Sequence, residues 1–477
     1  MTTKTPSRGV FAISFIVFFE IVYFRANSLE FARLDDLAGL MNVHTSTLLD
    51  GVFHSNFQAG RLIPAIFQSV LFSLIDTVND LQFLRYFATA SIALGGAIIG
   101  LFVWSLSPQK NWTTRVLAAC VGAIAVTTTS APSATTWAIL AVPLLALPLA
   151  LAGGVIATSN RSYFGIPWWA LSCLLVCASA FSYQQFTPLA FLPVGMWLAV
   201  QFVSDKKPDF QRAWLILGYI FASLSTNAAF VFLIGDGAQE RVLGGTLNER
   251  VRWFVGTYIP RTIDVFIPAT RETGMLSLLL LVIVMLFPIV LGVRYFAFMV
   301  SGVTAWAICA AVAFPTQFWA SYRLVHPAQI ALWASAAVGM FFVLVRLNKK
   351  SVVSFAAICV LMLTYQSQSR AWHYVSWPNH KDWTTTKCLI SMSKAVNTFV
   401  VGEWNSSDST VHSYDEYGMV PSNYDWAHDL GVRTARRELN EDGALFSLQI
   451  KPVMVSVEDS RSLADGTYLA VTPSSCR

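Results

Sequence analysis

Two adjacent carboxylates, Asp35 and Asp36, follow the first long apolar segment of the chain. Charged groups at the mouth of a membrane segment are costly unless they stay hydrated, are ion-paired or bind a ligand. We therefore interpret the pair as facing a water-filled pocket, where its chemistry would be proton transfer or metal binding. The alternative is a solvated loop that is simply acidic.

Three further short motifs place polar groups next to apolar segments. They are Gly60-Arg61, Ser182-Tyr183-Gln184-Gln185 and Ser321-Tyr322-Arg323-Leu324. Each motif alone is a weak signal, since an arginine at a span end also snorkels to lipid headgroups and a glutamine there is also hydrated by water.

The segment 235–274 is rich in arginines that alternate with aromatic residues. Basic and aromatic side chains at a membrane surface suit anionic headgroups or a lipid-linked phosphate. The alternative is an amphipathic helix that only anchors the segment in the interface. The residues concerned are Arg241, Arg250, Arg252, Arg261 and Arg271, with Trp253, Phe254 and Tyr258.

The composition explains why these polar motifs stand out. Of the 477 residues, 55% are hydrophobic and only 12% are charged, whereas charged residues make up about 25% of an ordinary soluble chain. Apolar runs of about 20 residues, enough to cross a bilayer, recur along most of the length. The sequence therefore predicts a polytopic α-helical membrane protein. Its net charge of +5 gives no reason to expect a nucleic-acid partner, because the basic residues lie in short loops.

We predict about eleven spans from these runs. Their approximate bounds are 10–24, 81–106, 113–131, 136–157, 166–181, 186–203, 213–234, 275–293, 296–314, 324–346 and 351–367. Residues 62–76 are apolar but short, and we read them as a helix lying in the membrane interface or as a half-inserted element, not as a full span. The first span follows basic residues but no small-residue cleavage site comes after it, which favours an uncleaved span over a signal peptide.

The basic residues of the short loops all fall on one side of this alternating topology. They are Lys4, Arg8, Lys110, Arg115, Arg161, Lys206, Lys207, Arg212, Arg294, Arg346, Lys349 and Lys350. The positive-inside rule makes that side cytoplasmic. The N-terminus is then inside, and every longer polar segment faces outward, into the periplasm of a bacterial cell.

Two domains follow from this reading. Residues 1–367 form the membrane module, with a first periplasmic loop at 25–80, and residues 368–477 form a small periplasmic α+β domain that begins with a helix at 385–399. Five of the seven cysteines lie in apolar segments, whereas Cys388 and Cys476 lie in the tail. In an oxidising compartment those two are placed to form a disulfide.

The four motifs lie on the same side of the predicted topology, and their order along the chain resembles that of a known family. Asp-Asp after a first span, Gly-Arg further on, Ser-Tyr-Gln-Gln after a middle span and Ser-Tyr-Arg-Leu before a late span resemble the integral-membrane glucosyltransferases that modify bacterial O-antigen. These belong to the GT-C glycosyltransferase superfamily. The resemblance covers most of the membrane part but not the tail.

The resemblance implies transfer of a sugar, expected to be glucose, from a polyprenyl-phosphate donor to lipopolysaccharide O-antigen at the periplasmic face of the inner membrane. An acidic residue of the first outer loop would be the general base, which assigns that role to Asp35, with Asp36 orienting it, or to Asp36 itself. No metal or other cofactor is expected, because a donor with one phosphate needs a metal less than a diphosphate does. The partners are the donor, the O-antigen acceptor and membrane lipids.

The same resemblance implies roles for the other motifs, since a leaving phosphate needs cationic donors. Phosphate ligands would be Arg61, Arg323 and Arg252, and sugar-binding residues Tyr183, Gln184, Gln185 and Tyr322. Three other readings stay open: a related enzyme with another sugar or acceptor, an O-antigen polymerase or ligase relying on arginines of 235–274, and a transporter or flippase. Acidic groups are absent from span interiors apart from Glu20, which argues against a proton-coupled carrier.

Overall fold

Helices make up most of the chain that the structure describes. The computed structural model describes residues 8–45, 49–234, 246–264, 271–314, 322–347, 350–392, 398–401, 425–439 and 467–470. The longer helices are α1 (Arg8–Asn27), α2 (Leu34–Thr45), α3 (Leu62–Phe72), α4 (Leu81–Leu106), α5 (Trp112–Val126), α6 (Ala146–Ala157), α7 (Trp168–Ser182), α8 (Phe191–Val203), α9 (Phe210–Ile234), α10 (Arg271–Leu286), α11 (Phe296–Ala313), α12 (Tyr322–Leu347), α13 (Lys350–Arg370), α14 (Trp377–Met392) and α15 (Asp425–Glu438).

Short helical turns connect several of these helices. They are Leu49–Phe53, His54–Gln58, Ala131–Thr135, Ala138–Leu140, Pro143–Leu145, Gln184–Ala190, Leu247–Trp253, Phe254–Tyr258, Ile259–Ile263, Phe287–Leu291, Val293–Tyr295 and Ala371–Ser376. In the tail, β1 (Thr398–Val401) pairs in parallel with β2 (Thr467–Ala470), with Thr398 opposite Thr467.

The helices confirm the predicted class, a polytopic helical membrane protein. Within the described residues, seven helices are long and apolar enough to cross a membrane: Arg8–Asn27, Leu81–Leu106, Gln184–Val203, Phe210–Ile234, Gly274–Leu291, Val293–Ala313 and Leu324–Leu347. The apolar helices Trp112–Val126, Pro143–Ala157 and Trp168–Ser182 are shorter. At 1.5 Å per residue, α3 extends only about 16 Å against a hydrocarbon core of about 30 Å.

The chain between α5 and α6 differs from the predicted span at 136–157. Instead of one helix, residues 127–145 form short turns, two of which have a proline in their first positions, Pro132 and Pro143. A proline supplies no N–H and stops a helix from extending through it from the N-terminal side. Irregular backbone at membrane depth is tolerated only where protein covers it, and this segment is almost entirely buried.

Small residues let α4 and α5 approach closely. A Cβ on Gly122 would lie 2.3 Å from the backbone oxygen of Gly96, and one on Gly100 would lie 2.9 Å from that of Ala118. Gly96 and Gly100 form a GxxxG pair, the spacing that lets membrane helices pack backbone to backbone. This contact sets the position of α4, whose first turn follows the segment that carries α2 and α3.

The tail helices α14 and α15 pack against the segment between α1 and α4. Leu37 of α2 shares an apolar cluster with Trp383 of α14 and Ala435 of α15. Glu438 accepts a hydrogen bond from the backbone N–H of Val78 (2.6 Å), and Lys387 pairs with it at 3.5 Å. Described parts of the tail therefore contact the helix that carries the acidic pair.

The start of the tail differs from its predicted form. The boundary at 367/368 lies inside α13, and a turn then leads directly into α14. The predicted helix at 385–399 is wrong at its end, because α14 stops at Met392 and Phe399 lies in β1. Cys388 is disulfide-bonded, and the five cysteines of the apolar segments are free; Cys476, its predicted partner, lies outside the described residues.

Candidate active site

The two adjacent carboxylates have different surroundings. Asp36 is fully buried; its Oδ2 accepts a hydrogen bond from the N–H of Arg33 (3.1 Å) and its Oδ1 from the N–H of Ile139 (2.8 Å). An acidic side chain that reaches back three residues to the N-terminal cap of its own helix stabilises the first helical turn. Asp35, in the same turn of α2, is only partly buried.

Burial raises the pKa of Asp36 to about 6, even though the two backbone hydrogen bonds and the nearby charges of Arg85 and Arg33 act against that rise. Both of its carboxylate oxygens already accept hydrogen bonds from the backbone. A general base must reach the proton that it removes. Between the two carboxylates, this geometry favours Asp35 as the base and Asp36 as the group that holds α2 in place.

Two buried arginines fix the chain that precedes the pair. Arg85, in the first turn of α4, donates to the carbonyl oxygens of Asn27 (3.2 Å), Leu29 (2.6 Å) and Phe31 (2.9 Å). These hydrogen bonds provide partners for carbonyl groups at the end of α1 and in the segment that follows. A helix end leaves such carbonyl groups without intrahelical partners. Arg33 donates to the carbonyl oxygen of Ser133 (3.0 Å).

The backbone of Ile139 connects α2 with α3. Its N–H donates to Asp36, and its carbonyl oxygen accepts a hydrogen bond from Gln68 Nε2 on α3 (2.6 Å). Buried backbone groups need partners, and the interrupted segment 127–145 obtains two of them from these side chains. Arg61 immediately precedes α3, so the same contacts help to position it.

The Gly-Arg and Ser-Tyr-Gln-Gln motifs meet in the fold. The Arg61 guanidinium carbon lies 4.7 Å from the centre of the Tyr183 ring, a distance at which a cation is attracted to the ring face. Gln184 Nε2 donates to the carbonyl oxygen of Ala59 (2.9 Å) and to Asn227 Oδ1 (2.8 Å). The structure therefore brings together Arg61, Tyr183 and Gln184.

Gly60 is required where these motifs meet. Its φ is +73°, and a Cβ there would lie 2.5 Å from Val231 Cγ2. Its carbonyl oxygen accepts a hydrogen bond from Asn227 Nδ2 on α9 (2.6 Å). Only glycine adopts this backbone conformation without strain, so the turn before Arg61 depends on this residue.

Gln185 has a buried hydrogen-bond acceptor that receives no hydrogen bond from the described residues. Its Oε1 is buried and has no hydrogen-bond partner in the described part of the chain. A buried polar atom without a partner costs about 1–3 kcal/mol. Such an atom next to the Arg61–Tyr183 pair suits a ligand that brings a hydrogen-bond donor.

The remaining predicted site residues are less closely tied to this centre. Tyr322 and Arg323 begin α12, but their side chains lie outside the described residues. Arg252 is exposed on the short helix Leu247–Trp253. The aromatic residues beside it anchor that helix, because Trp253 and Tyr258 are buried against residues of α11 and α12.

Sequence analysis missed a second polar centre on α12. His326 is fully buried, and its Nδ1 forms hydrogen bonds with Ser130 Oγ (2.5 Å) and Thr128 Oγ1 (3.1 Å). Gln329 Oε1 accepts from the N–H of Ser130 (3.2 Å) and from its hydroxyl (2.7 Å). Gln329 Nε2 donates to Thr129 Oγ1 (2.7 Å). The sequence did offer a signal for this centre, namely polar residues inside a predicted span. The same signal also marks Asn227.

Asp264, which follows the turn Ile259–Ile263, was also missed. Its side chain is 6% exposed, and burial raises its pKa to about 6 in spite of the charge of Arg261. Its carbonyl oxygen accepts a hydrogen bond from Thr129 Oγ1 (3.0 Å), which connects it to the polar centre around Ser130.

No group of three or more histidine, cysteine, aspartate or glutamate side chains in the described ranges has the arrangement of a metal site. Comparison with protein-family models and with curated protein sequences gives no match.

Proposed function

We propose that the protein is a membrane glycosyltransferase. It transfers a sugar, expected to be glucose, from a polyprenyl-phosphate donor to O-antigen or lipopolysaccharide, with Asp35 as general base. The observation that carries the proposal is the division between the two carboxylates: Asp36 is held by backbone N–H groups, whereas Asp35 is partly exposed in the same helical turn.

The reaction requires a base and a cation. The acceptor hydroxyl gives its proton to the Asp35 carboxylate as its oxygen bonds to the anomeric carbon of the donor. The bond from that carbon to the phosphate oxygen breaks, and the lipid phosphate leaves with the electron pair. A guanidinium that forks onto the phosphate stabilises its developing charge.

The Arg61 centre is the best described candidate for the second role. Arg61 lies against Tyr183, and Gln184 holds the chain before it. The open acceptor of Gln185 supports contact with a sugar hydroxyl. Tyr322, Arg323 and Arg252 complete the proposed set, with the arginines on phosphate and the tyrosine on sugar.

The proposed topology has about eleven spans, with the N-terminus in the cytoplasm and a periplasmic domain from residue 368. The four shorter or polar-ended helices α5, 143–157, α7 and α13 would join the seven long ones in crossing the inner membrane. The disulfide at Cys388 supports an oxidising compartment for the tail. The partners would be the lipid donor, the O-antigen acceptor and membrane lipids, with no nucleic acid and no metal or other cofactor.

The experiment is transfer of radiolabelled sugar from polyprenyl-phosphate sugars to extracted lipopolysaccharide, with membranes carrying the wild type, Asp35→Asn or Asp36→Asn. We expect transfer by the wild type and its loss in Asp35→Asn at an unchanged protein level. Full activity of Asp35→Asn would exclude it as the base. Absence of transfer with every donor would exclude the activity and leave the polymerase or ligase reading. A substitution of the exposed Arg252 would then test that reading.

A further inference from the structure

The connector at residues 28–33 joins α1 to the helix that carries the acidic pair. The connector is neither helix nor strand, so its backbone groups need partners from other parts of the fold. Arg85 of α4 donates to the carbonyl oxygens of Leu29 and Phe31. The carbonyl oxygen between them, that of Glu30, is bound from the tail instead.

Three side chains of α14 bind Glu30. His380 donates from Nδ1 to its carbonyl oxygen (2.7 Å), because a carbonyl oxygen only accepts. Trp383 Nε1 and Lys387 Nζ each donate to Glu30 Oε1 (2.8 Å). The three donors follow one another at spacings of three and four residues, so they lie on one face of α14. One residue of the connector is therefore held through both its backbone and its side chain.

The contact between Glu30 and Lys387 joins two charged groups. Burial acts to raise the pKa of Glu30, but hydrogen bonds from Lys387 and Trp383 outweigh burial and hold that pKa below its usual range. Burial acts to lower the pKa of Lys387, but its interactions with Glu30 and Glu438 outweigh burial and raise it. Both groups are therefore charged at neutral pH, and hydrogen bonds between charged groups are the stronger ones.

Lys387 also connects the connector with the far end of the segment between α1 and α4. Its Nζ lies 3.5 Å from Glu438 Oε2 on α15. Glu438 Oε1 accepts a hydrogen bond from the N–H of Val78 (2.6 Å), shortly before α4 begins. Between these two ends, Leu37 of α2 packs in one apolar cluster with Ala435 of α15. The tail thus holds the segment at its start, in its middle and at its end.

We propose that the tail positions the general base: α14 holds Glu30, and Glu30 fixes the start of the helix that carries Asp35. The role of Asp35 rests on the proposed function, whereas the contacts of Glu30 do not depend on it. Glu30 precedes Asp35 by only five residues, so a shift of the connector moves the first turn of α2. A base must lie within hydrogen-bond reach of its proton, and a displacement of about 1 Å can cost about 100-fold in rate.

A tail that positions the base acts on the chemical step and not on donor binding. Arg61 and Tyr183, the proposed donor ligands, lie where Gln184 and Asn227 bind the chain before Arg61. A general base acts in the transition state, so its displacement lowers kcat and leaves the KM for the donor unchanged. A loss of fold would instead lower the amount of active enzyme in proportion to its unfolding.

Glu30→Ala and Lys387→Met break the contact from its two sides, and Lys387→Met keeps an apolar stem. Thr384→Ala is the matched control, because Thr384 is exposed on α14 and its hydroxyl donates to carbonyl oxygens of that helix. We expect kcat for sugar transfer to fall about 10-fold or more in the first two variants, with an unchanged donor KM, and to stay unchanged in the control. Lys387→Arg keeps the charge and should retain most of kcat.

Hydrogen exchange gives a second measurement that needs no activity. The full chain in detergent is exchanged into deuterated buffer, and peptides are read by mass spectrometry. We expect faster exchange at residues 28–37 in Glu30→Ala and Lys387→Met but not in Thr384→Ala. Peptides from the closely packed helices α4 and α5 should exchange alike in all variants, which shows that the membrane part is folded.

The two measurements separate the inference from the proposed function. Normal kcat in both Glu30→Ala and Lys387→Met would overturn the inference, as would an equal loss in Thr384→Ala or a loss that appears only as a raised KM. Unchanged exchange at 28–37 in an enzyme that transfers sugar would also overturn it and keep the proposed function. Faster exchange in a protein whose wild type transfers no sugar would reject the proposed function and keep only the hold of the tail on α2.

Discussion

The carboxylate site on α2 and the polar centre around His326 satisfy buried polar groups in different ways. In the first, side chains bind backbone: Asp36 and Gln68 hold Ile139, and Arg85 holds carbonyl groups after α1. In the second, side chains also bind one another across long stretches of chain, as Ser130 and Gln329 do over 199 residues. The first arrangement leaves Asp35 partly exposed, whereas His326 and Gln329 of the second are fully buried.

The largest expected effect distinguishes the two carboxylates, Asp35 and Asp36. Asp35→Asn should lower the transfer rate by about 10²–10⁴-fold, the usual contribution of a general base, in protein that is still folded. Asp36→Asn should lower the midpoint instead, because an amide has one acceptor oxygen where the carboxylate serves two N–H donors. Rates and midpoints measured on the same preparations check both. A rate loss confined to Asp36→Asn would reverse the assignment.

This contrast shows what the sequence could predict. Asp35, Asp36, Gly60 and Arg61 stand out because charged or conformationally special residues interrupt an apolar pattern. His326 and Gln329 lie inside an apolar run, and their partners at 128–130 are hydroxyl residues that any span tolerates. The break at 127–145 was missed because its serines, threonines and two prolines also occur inside membrane spans, while its backbone partners come from α2, α3 and α12. The helical class of the fold follows from the local sequence, whereas those contacts join residues that are far apart in the chain.

A second prediction compares two of the proposed phosphate ligands. Arg61→Gln should raise the KM for the donor by about 10–150-fold, because it removes a charged hydrogen-bond donor worth about 1.5–3 kcal/mol. Arg252→Gln should raise KM less than Arg61→Gln does, because Arg252 is exposed and water weakens the interaction of its charge with a phosphate. Initial rates across donor concentrations give both values. Equal losses in the two variants would move the phosphate site toward the segment 247–263.

The third prediction compares two buried glutamines, one from each region. Gln329 makes hydrogen bonds through both its oxygen and its nitrogen. Gln329→Leu should therefore lower the free energy of unfolding by about 2–3 kcal/mol, because its buried partners lose their hydrogen bonds. Gln68 makes one hydrogen bond to Ile139, and its Oε1 has no partner within the described chain. Gln68→Leu should therefore cost about 1 kcal/mol. Denaturant unfolding in a fixed detergent measures the difference, and a larger loss for Gln68→Leu would contradict the comparison.

The fourth prediction uses pH. Burial raises the pKa of Asp36 to about 6, above the unfolded value of about 3.9, so the folded protein takes up a proton between pH 7 and 5 that the unfolded chain does not. The associated stability is present at low pH and is lost as pH rises through 6, a difference on the order of 1 kcal/mol. Asp36→Asn should remove this gain, and Asp264→Asn should remove a separate share of the same sign. Thermal midpoints at pH 5 and 7 measure it; an undiminished gain in both variants would assign it to other groups.

The smallest effect on stability concerns the contact between the tail and the segment between α1 and α4. Lys387 lies 2.8 Å from Glu30 and 3.5 Å from Glu438, and its side chain is 28% exposed. Partly exposed ion pairs contribute about 0.2–1 kcal/mol and weaken with salt, so Lys387→Gln should lower stability by that amount, less so at high salt. Glu438→Gln keeps an oxygen for the Val78 N–H while removing the charge. A double-mutant cycle of the two substitutions isolates the ion pair, and absence of coupling at low salt would show that packing of α15 on α2, rather than this charge pair, holds the tail against α2.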